Sequence, residues 1–306
     1  MTPWHARAPA KINLGLFLGP VRDDGRHQLL TIMQSISLAD ALTLSAAPDA
    51  ASGADVVVCE GVEGPNLASA ALEAFRAATG WDAPPQRLVI DKAIPVAAGL
   101  AGGSTDAAAA LRLASAASGL GDEALLLALA AGLGADVPAQ VRPGRWLATG
   151  AGEVLQELPD PNPAFGVLVL PIAQALSTAA VYAEADRRGV GRDLAHLRRL
   201  RRELEASVAF GQSVPGPELL VNELQDPARA LCPTIDEALA HARDAGADAA
   251  FVSGSGPTVV GLFLRANVPA RLDRALHALS GREPAAIAAG PVGGDAGLAV
   301  TDRGSG

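Results

Sequence analysis

Pro95-Val96-Ala97-Ala98-Gly99-Leu100-Ala101-Gly102-Gly103-Ser104-Thr105 runs straight into Asp106–Ser118, a segment almost wholly of alanine and leucine. The second part reads as a buried helix, because alanine and leucine favour helix and leave no polar face. Three glycines in the first part have no Cβ, so main-chain N–H groups there can approach a ligand closely. The start of the helix adds unpaired N–H donors and a partial positive charge, and Ser104 and Thr105 add hydroxyls. Together these make a cradle for an anion of triphosphate size. An ordinary turn with Ser104 as helix cap would use the same residues. The stretch is neither the GxxxxGK[ST] phosphate loop nor the GxGxxG dinucleotide turn.

Strands are expected near Ala10–Leu18, Ala41–Ser45, Val56–Cys59 and Arg87–Asp91, where apolar residues alternate or cluster. Leu67–Thr79 has helical spacing, with Asn66 as N-cap. Asp122–Gly132 is a further helix. Leu158–Phe165, with Pro159, Pro161 and Pro163, marks a boundary between two domains, 1–160 and 161–306. Beyond it come a strand Gly166–Leu170 and helices over Thr178–Arg188, Asp193–Ala206, Glu218–Leu231 and Thr234–Ala245. Strands Ala249–Val252 and Thr258–Leu264 follow, then a helix Val268–Ser280 and a last strand near Leu298–Thr301. The terminal Gly304–Gly306 is expected to be disordered. Helices and strands alternate in both halves, so the class is α/β or α+β.

The chain has 306 residues, enough for two cores at roughly 100–200 residues per domain. Its net charge of −9 argues against a general nucleic-acid or membrane-surface binder, which a polyanion would repel. The Arg-rich run Arg187–Arg202 reads as the solvated face of a helix. Cys59 and Cys232 lie far apart and form no CxxC pattern, which disfavours a disulfide framework or a zinc site. No apolar run reaches the ~18 residues of a membrane span, and a reducing cytoplasm is the expected setting.

Of 24 basic residues only Lys11 and Lys92 are lysines. A base-composition bias accounts for a general excess of arginine. A retained lysine can also mark a position that needs a compact ammonium rather than a planar fork.

Three more segments carry polar groups in apolar or glycine-rich settings. In Pro9-Ala-Lys11-Ile-Asn13-Leu14, Lys11 and Asn13 share one face of a strand; a solvated strand face is the plainer reading. In Gly134-Ala-Asp136-Val-Pro138, the aspartate is either a turn former or a carboxylate held among apolar groups. Val252-Ser-Gly-Ser-Gly-Pro-Thr258 is a tight turn between two strands, a phosphate cradle or a simple bend.

In their order and wide spacing these segments resemble the three motifs of the GHMP kinases: a PAKINL-like strand, a P-x3-GLxGGS[ST] loop and an SGSGPT turn. The likeness spans nearly the whole chain. Asp23–His27 with Thr31 and Gln34, Ile90–Pro95, Ala148–Glu153 and Leu176–Tyr182 extend it to the branch whose acceptor is a cytidine diphosphate-linked polyol.

The resemblance implies an α+β, two-domain fold with mixed sheets and helices and an active site in the cleft between domains. It implies an ATP- and Mg²⁺-dependent small-molecule kinase, monomeric or homodimeric, that binds neither nucleic acid nor membrane and phosphorylates an alcohol in isoprenoid precursor synthesis. Asp136 matches the catalytic base, and Lys11 the lysine beside it. Pro95–Thr105 matches the phosphate loop, with Asn66 and Lys92 lining the adenine side. Asn13, His27, Thr178 and Tyr182 match positions around the cytidine.

Arg26 stands where the branch has a tyrosine stacked on cytosine; a guanidinium also stacks on a base, and Tyr182 would cover the other face. Ala97, Ala98 and Ala101 replace frequent glycines, which a negative φ would accommodate. No acidic metal ligand is evident near the loop, so Mg²⁺ is expected to take phosphates, waters and a hydroxyl such as that of Ser104. A homoserine- or mevalonate-type kinase, or a non-catalytic protein of this fold, are the alternatives.

Overall fold

The computed structural model describes residues 2–47, 54–62, 64–162, 164–209, 212–298 and 300–301. Pro163, Gly304, Ser305 and Gly306 lie outside them.

The first half runs β1 (Trp4–Val21), β2 (His27–Ala46), β3 (Val56–Cys59), α1 (Leu67–Thr79), β4 (Gln86–Asp91), α2 (Gly102–Ser118), α3 (Glu123–Leu133), α4 (Val137–Val141), β5 (Arg145–Thr149) and β6 (Val154–Glu157). The second half runs β7 (Gly166–Leu170), α5 (Thr178–Arg187), α6 (Leu194–Val208), α7 (Gln225–Leu231), α8 (Thr234–Asp244), β8 (Ala249–Val252), β9 (Val259–Phe263), α9 (Val268–Ala278), β10 (Ile287–Ala289) and β11 (Val300–Thr301).

Two sheets result. The first has the order β11-β1-β2-β4-β3, with β5 on β2 and β6 on β5. Its pairs are antiparallel except β3–β4. The second is a four-stranded antiparallel sheet, β10-β7-β9-β8. The chain's last strand therefore returns to β1, pairing Trp4 with Thr301. With helices and mixed sheets in two layered halves, the fold is α+β.

Alanine decides how the first half packs. Ala107, Ala108, Ala109 and Ala110 of α2 are fully buried, in one core with Leu72 and Phe75 of α1 and Leu42 and Leu88 of the sheet. Small side chains let this helix lie close to its neighbours on all sides, which suits a core with few aromatics. A second core fills the space between the two sheets and α6, with Ile12, Phe17 and Ile36 against Val167, Val260 and Leu262. A third lies between the second sheet and the helices α5, α7, α8 and α9.

Three expectations need correcting. The helix expected over Glu218–Leu231 is confined to Gln225–Leu231. Val221 and Glu223 bond instead to the main chain of β1, Leu16 N to Val221 O at 2.7 Å and Glu223 N to Leu16 O at 3.0 Å. The helix after the glycine loop begins at Gly102 rather than Asp106. The long strand β2 extends well before the expected Ala41–Ser45. It is buried on both faces over Leu29–Ile36, so no alternation announced it.

Candidate active site

Lys11 sits on β1, and its ammonium donates to Asn13 Oδ1 at 2.7 Å. Asn13 Nδ2 donates to Thr31 Oγ1, whose hydroxyl donates to Gly15 O. All three side chains are buried. The spacing of two on a strand thus produces a chain of hydrogen bonds rather than a solvated face.

Asp136 stands at the start of α4, yet its carboxylate caps no helix N–H. Its Oδ2 lies 3.6 Å from Lys11 Nζ, and about a third of the side chain is exposed. A carboxylate used only to form a turn would bond its own backbone; this one faces an ammonium across a cleft.

The cleft, of about 440 Å³, brings together Lys11, Asn13 and Asp136 with Ala97–Gly99, Ala101–Ser104, Thr178, Tyr182 and Gly254–Gly256. Tyr182 is mostly buried here. Its phenol is pushed up to about 12, first by burial and then by the negative charge of Asp136. Thr178 Oγ1 and Ser255 Oγ are 2.9 Å apart.

Gly102 and Gly103 also line a smaller pocket of about 190 Å³, with Asn66, Leu67, Lys92, Val96 and Asp106. The N-terminal turn of α2 therefore borders both cavities. Asn66 Oδ1 caps α1 by accepting from Ala68 N at 2.8 Å. A larger depression, of about 730 Å³, lies elsewhere, where Arg112 and Arg142 mix with Asp122, Asp160 and Asp295.

Two departures from expectation concern the loop. Ala97 and Ala101 adopt φ of 53° and 59°, not negative values, so two methyl groups sit in a conformation that disfavours them. Ser104 is not the helix cap. Ala101 holds that position and makes no side-chain bond, which leaves the first N–H groups of α2 uncapped by a side chain.

Two acids not singled out as site residues lie beside the smaller pocket. Lys92 Nζ bonds Asp40 Oδ2 at 2.5 Å and Asp106 Oδ2 at 2.8 Å. Asp40 Oδ1 also accepts from Ala93 N and Ile94 N. Asp106 Oδ1, in contrast, is buried without a partner among the described residues. Burial pushes the Asp106 carboxyl up to about 7, against the pull of Lys92 and with the repulsion of Asp40. For Lys92, burial acts downward, but the two carboxylates outweigh it and its ammonium ends above its ordinary value. The signal for both acids was present: each is a lone charge inside an apolar run.

Two expected cytidine-side residues stand outside the cleft lining. Arg26 is more than half exposed, and its guanidinium is held by Asp24 Oδ2 at 2.9 and 3.1 Å. His27 is buried, with Nδ1 3.0 Å from Gly19 O and Nε2 3.0 Å from Asp186 Oδ1. Its ring lies 5.5 Å from that of Tyr182, centroid to centroid, and so backs the cleft wall.

Models of the GHMP kinases match the chain in two parts: the N-terminal domain over residues 66–144 and the C-terminal domain over 192–283. The chain is 42% identical to the 4-diphosphocytidyl-2-C-methyl-D-erythritol kinase of Streptomyces coelicolor, over 82% of this chain and 85% of that one. It is 38% identical to the enzyme of the same name from Leifsonia xyli subsp. xyli, over 95% and 97%. A crystal structure of 4-(cytidine 5'-diphospho)-2C-methyl-D-erythritol kinase superposes with a TM-score of 0.74 at 33% identity, covering 95% of this chain and all of that one. A homoserine kinase from Cytophaga hutchinsonii, TM-score 0.62 at 14% identity, shares the fold alone.

Two outcomes follow from the loop and its acids. The Asp106 carboxyl, ordinarily near 3.8, rises to about 7 in the folded chain, so between those values the folded state holds a proton that the unfolded state has lost. Its contribution to stability is complete below about pH 4 and lost as pH rises through about 7. Thermal unfolding from pH 5 to 8 should show this decline in the wild type and a flatter profile in Asp106→Asn; equal slopes would contradict it. Ala101→Gly should raise stability by on the order of 0.5 kcal/mol, read by denaturant unfolding, because glycine accepts the left-handed φ without its methyl clash.

Proposed function

The chain belongs to the GHMP kinases and, within them, to the family of the 4-diphosphocytidyl-2-C-methyl-D-erythritol kinases, and on that premise we propose that its cleft transfers the γ-phosphoryl group of ATP to the 2-hydroxyl of 4-diphosphocytidyl-2-C-methyl-D-erythritol, a step in non-mevalonate isoprenoid precursor synthesis. The observation that carries this reading is Asp136 facing Lys11 at 3.6 Å in a cleft bordered by the uncapped start of α2.

Residues 1–160 supply the nucleotide side, and 161–306 contribute most of the acceptor side. The base sits in the smaller pocket beside Asn66, Lys92 and Val96. The main chain of Gly102–Ser104 binds the phosphates, where N–H groups and the helix dipole favour negative charge. Phosphoryl transfer passes through a loose transition state, so positioning and charge stabilisation carry most of the catalysis.

Asp136 orients the acceptor hydroxyl and takes its proton as the new P–O bond forms. Lys11, oriented by Asn13, offsets the charge on the transferred group. Thr178, Ser255 and Tyr182 line the acceptor side, and His27 with Asp186 braces Tyr182 from behind. Arg26 reaches the cytosine only by leaving Asp24, which makes Tyr182 the wall already in place.

Oxygen donors suit Mg²⁺, which keeps several waters and binds through phosphates with one or two protein groups. Of the oxygens lining the cleft, Ser104 Oγ, beside the start of α2, and the Asp136 carboxylate would hold the ion. An ion there would supply neutralisation of phosphate charge. Asp40 and Asp106 are engaged by Lys92 and fit that role less well.

Asp136→Asn should retain nucleotide affinity and lose about 10²–10⁴-fold in kcat, since a general base typically contributes that much. Lys11→Met should lose a comparable factor in kcat rather than in KM. ADP release measured against a panel of acceptor alcohols tests the substrate. Turnover restricted to homoserine or mevalonate would overturn the acceptor assignment, and near-normal turnover in Asp136→Asn would overturn the base.

A further inference from the structure

Asn222 is a buried side chain that no motif in the sequence marks, and it lies outside the lining of the cleft. It belongs to the short segment that docks on β1 where the β1–β2 register shifts between Asn13 and Leu16. Gly15 adopts φ +87° at that shift, and a Cβ there would meet Leu219 O at 2.5 Å. The segment is therefore seated main chain to main chain against the strand that bears Lys11.

From this seat the Asn222 amide reaches the glycine turn of the other half. Nδ2 donates to Val252 O and to Gly254 O, both at 2.7 Å, so both of its hydrogens are used. Oδ1 accepts from Leu224 N at 2.9 Å, an Asx-type turn at the start of α7. Gln225 Oε1 accepts from Val252 N at 3.0 Å. The end of β8 is thus held by two side chains three residues apart.

What the turn then does is set by Gly254. Its Cα carries no side chain, and a Cβ built there would lie 3.4 Å from Lys11 Nζ and 3.3 Å from Asn13 Oδ1. A shift of the turn by an ångström would open or crowd the Lys11–Asn13 pair, and misplacement on that scale can cost on the order of 100-fold in rate. We propose that Asn222 is a positioning residue: its amide fixes the Ser253–Gly256 turn against Lys11 and Asn13 and so sets the place of the acceptor at Asp136. The inference rests on the kinase reading above and adds a residue that touches no substrate.

Asn222→Asp separates this role from a merely structural one. The carboxylate keeps the acceptor for Leu224 N, and hence the local turn, but sets an oxygen against the carbonyls of Val252 and Gly254. The variant is expected to raise the acceptor KM or lower kcat by on the order of 100-fold together, with nucleotide affinity within threefold. Part of the loss should return as pH falls from 8 to 6, because a carboxyl crowded by two carbonyls takes up a proton and donates one bond again. Kinetics within twofold of wild type, or equal losses for nucleotide and acceptor, would overturn the proposal.

Hydrogen exchange at the amides of Ser253 and Gly256 supplies a readout that needs no turnover. It should quicken there in Asn222→Asp, or in Asn222→Ser if the first variant does not fold. Unchanged exchange at both amides overturns the positioning role. A wild-type protein that releases no ADP with any acceptor would instead remove the kinase reading, with the exchange result still deciding Asn222.

Discussion

Two glycine turns from opposite halves of the chain meet main chain to main chain, and the cleft exists because they do. A Cβ on Gly99 would lie 2.5 Å from Ser253 O and 2.8 Å from Gly256 O, so no other residue could stand there without parting the turns. On its other side the loop is tied to β1, with Lys11 N donating to Leu100 O at 3.1 Å. The atoms such a Cβ would meet are peptide groups rather than side chains, so no rotamer change relieves the clash. The Pro95–Thr105 loop, the Ser253–Gly256 turn and Lys11 are consequently held together as one set. That is the form of pre-organisation a reaction governed by positioning requires.

Charge inside the molecule is divided between two kinds of cation. Both lysines stand at the cavities, one against Asn13 and Asp136, the other between Asp40 and Asp106. The buried Arg145 and the half-buried Arg112 do structural work instead. Arg112 donates to the carbonyls of Gln140 and Arg7, and Arg145 to that of Gln212. Burial lowers both guanidinium groups to about 10. A compact ammonium can serve several oxygens from different directions, while a planar fork suits carbonyls at the end of a packed stem. The position of each lysine follows from this geometry.

Local chemistry made much of the fold legible before any tertiary contact was considered. Leu67–Thr79 with its Asn66 cap, Val56–Cys59 and Gly166–Leu170 stand where propensity and capping put them. The long β2 was legible only in part, since burial on both faces erases alternation. Residues 218–224 misled because their leucines and valine suit a helix. The carbonyl and N–H of Leu16, on a strand some two hundred residues away, recruited their main chain instead.

For the site the division is similar. Motif and spacing determined that a glycine-rich turn precedes an alanine helix, that Lys11 and Asn13 share a strand face, and that Asp136 has only small or apolar neighbours in sequence, because those features depend on neighbours in the chain. Only the tertiary structure decided that Asp136 turns to Lys11 rather than to its own backbone, and that Lys92 is held by Asp40 and Asp106. It alone decided that Asn222 reaches Gly254 and that Ala97 and Ala101 take positive φ. Each of these depends on distances between segments far apart in the chain, and pairwise electrostatics and packing act on those distances, which no local pattern encodes.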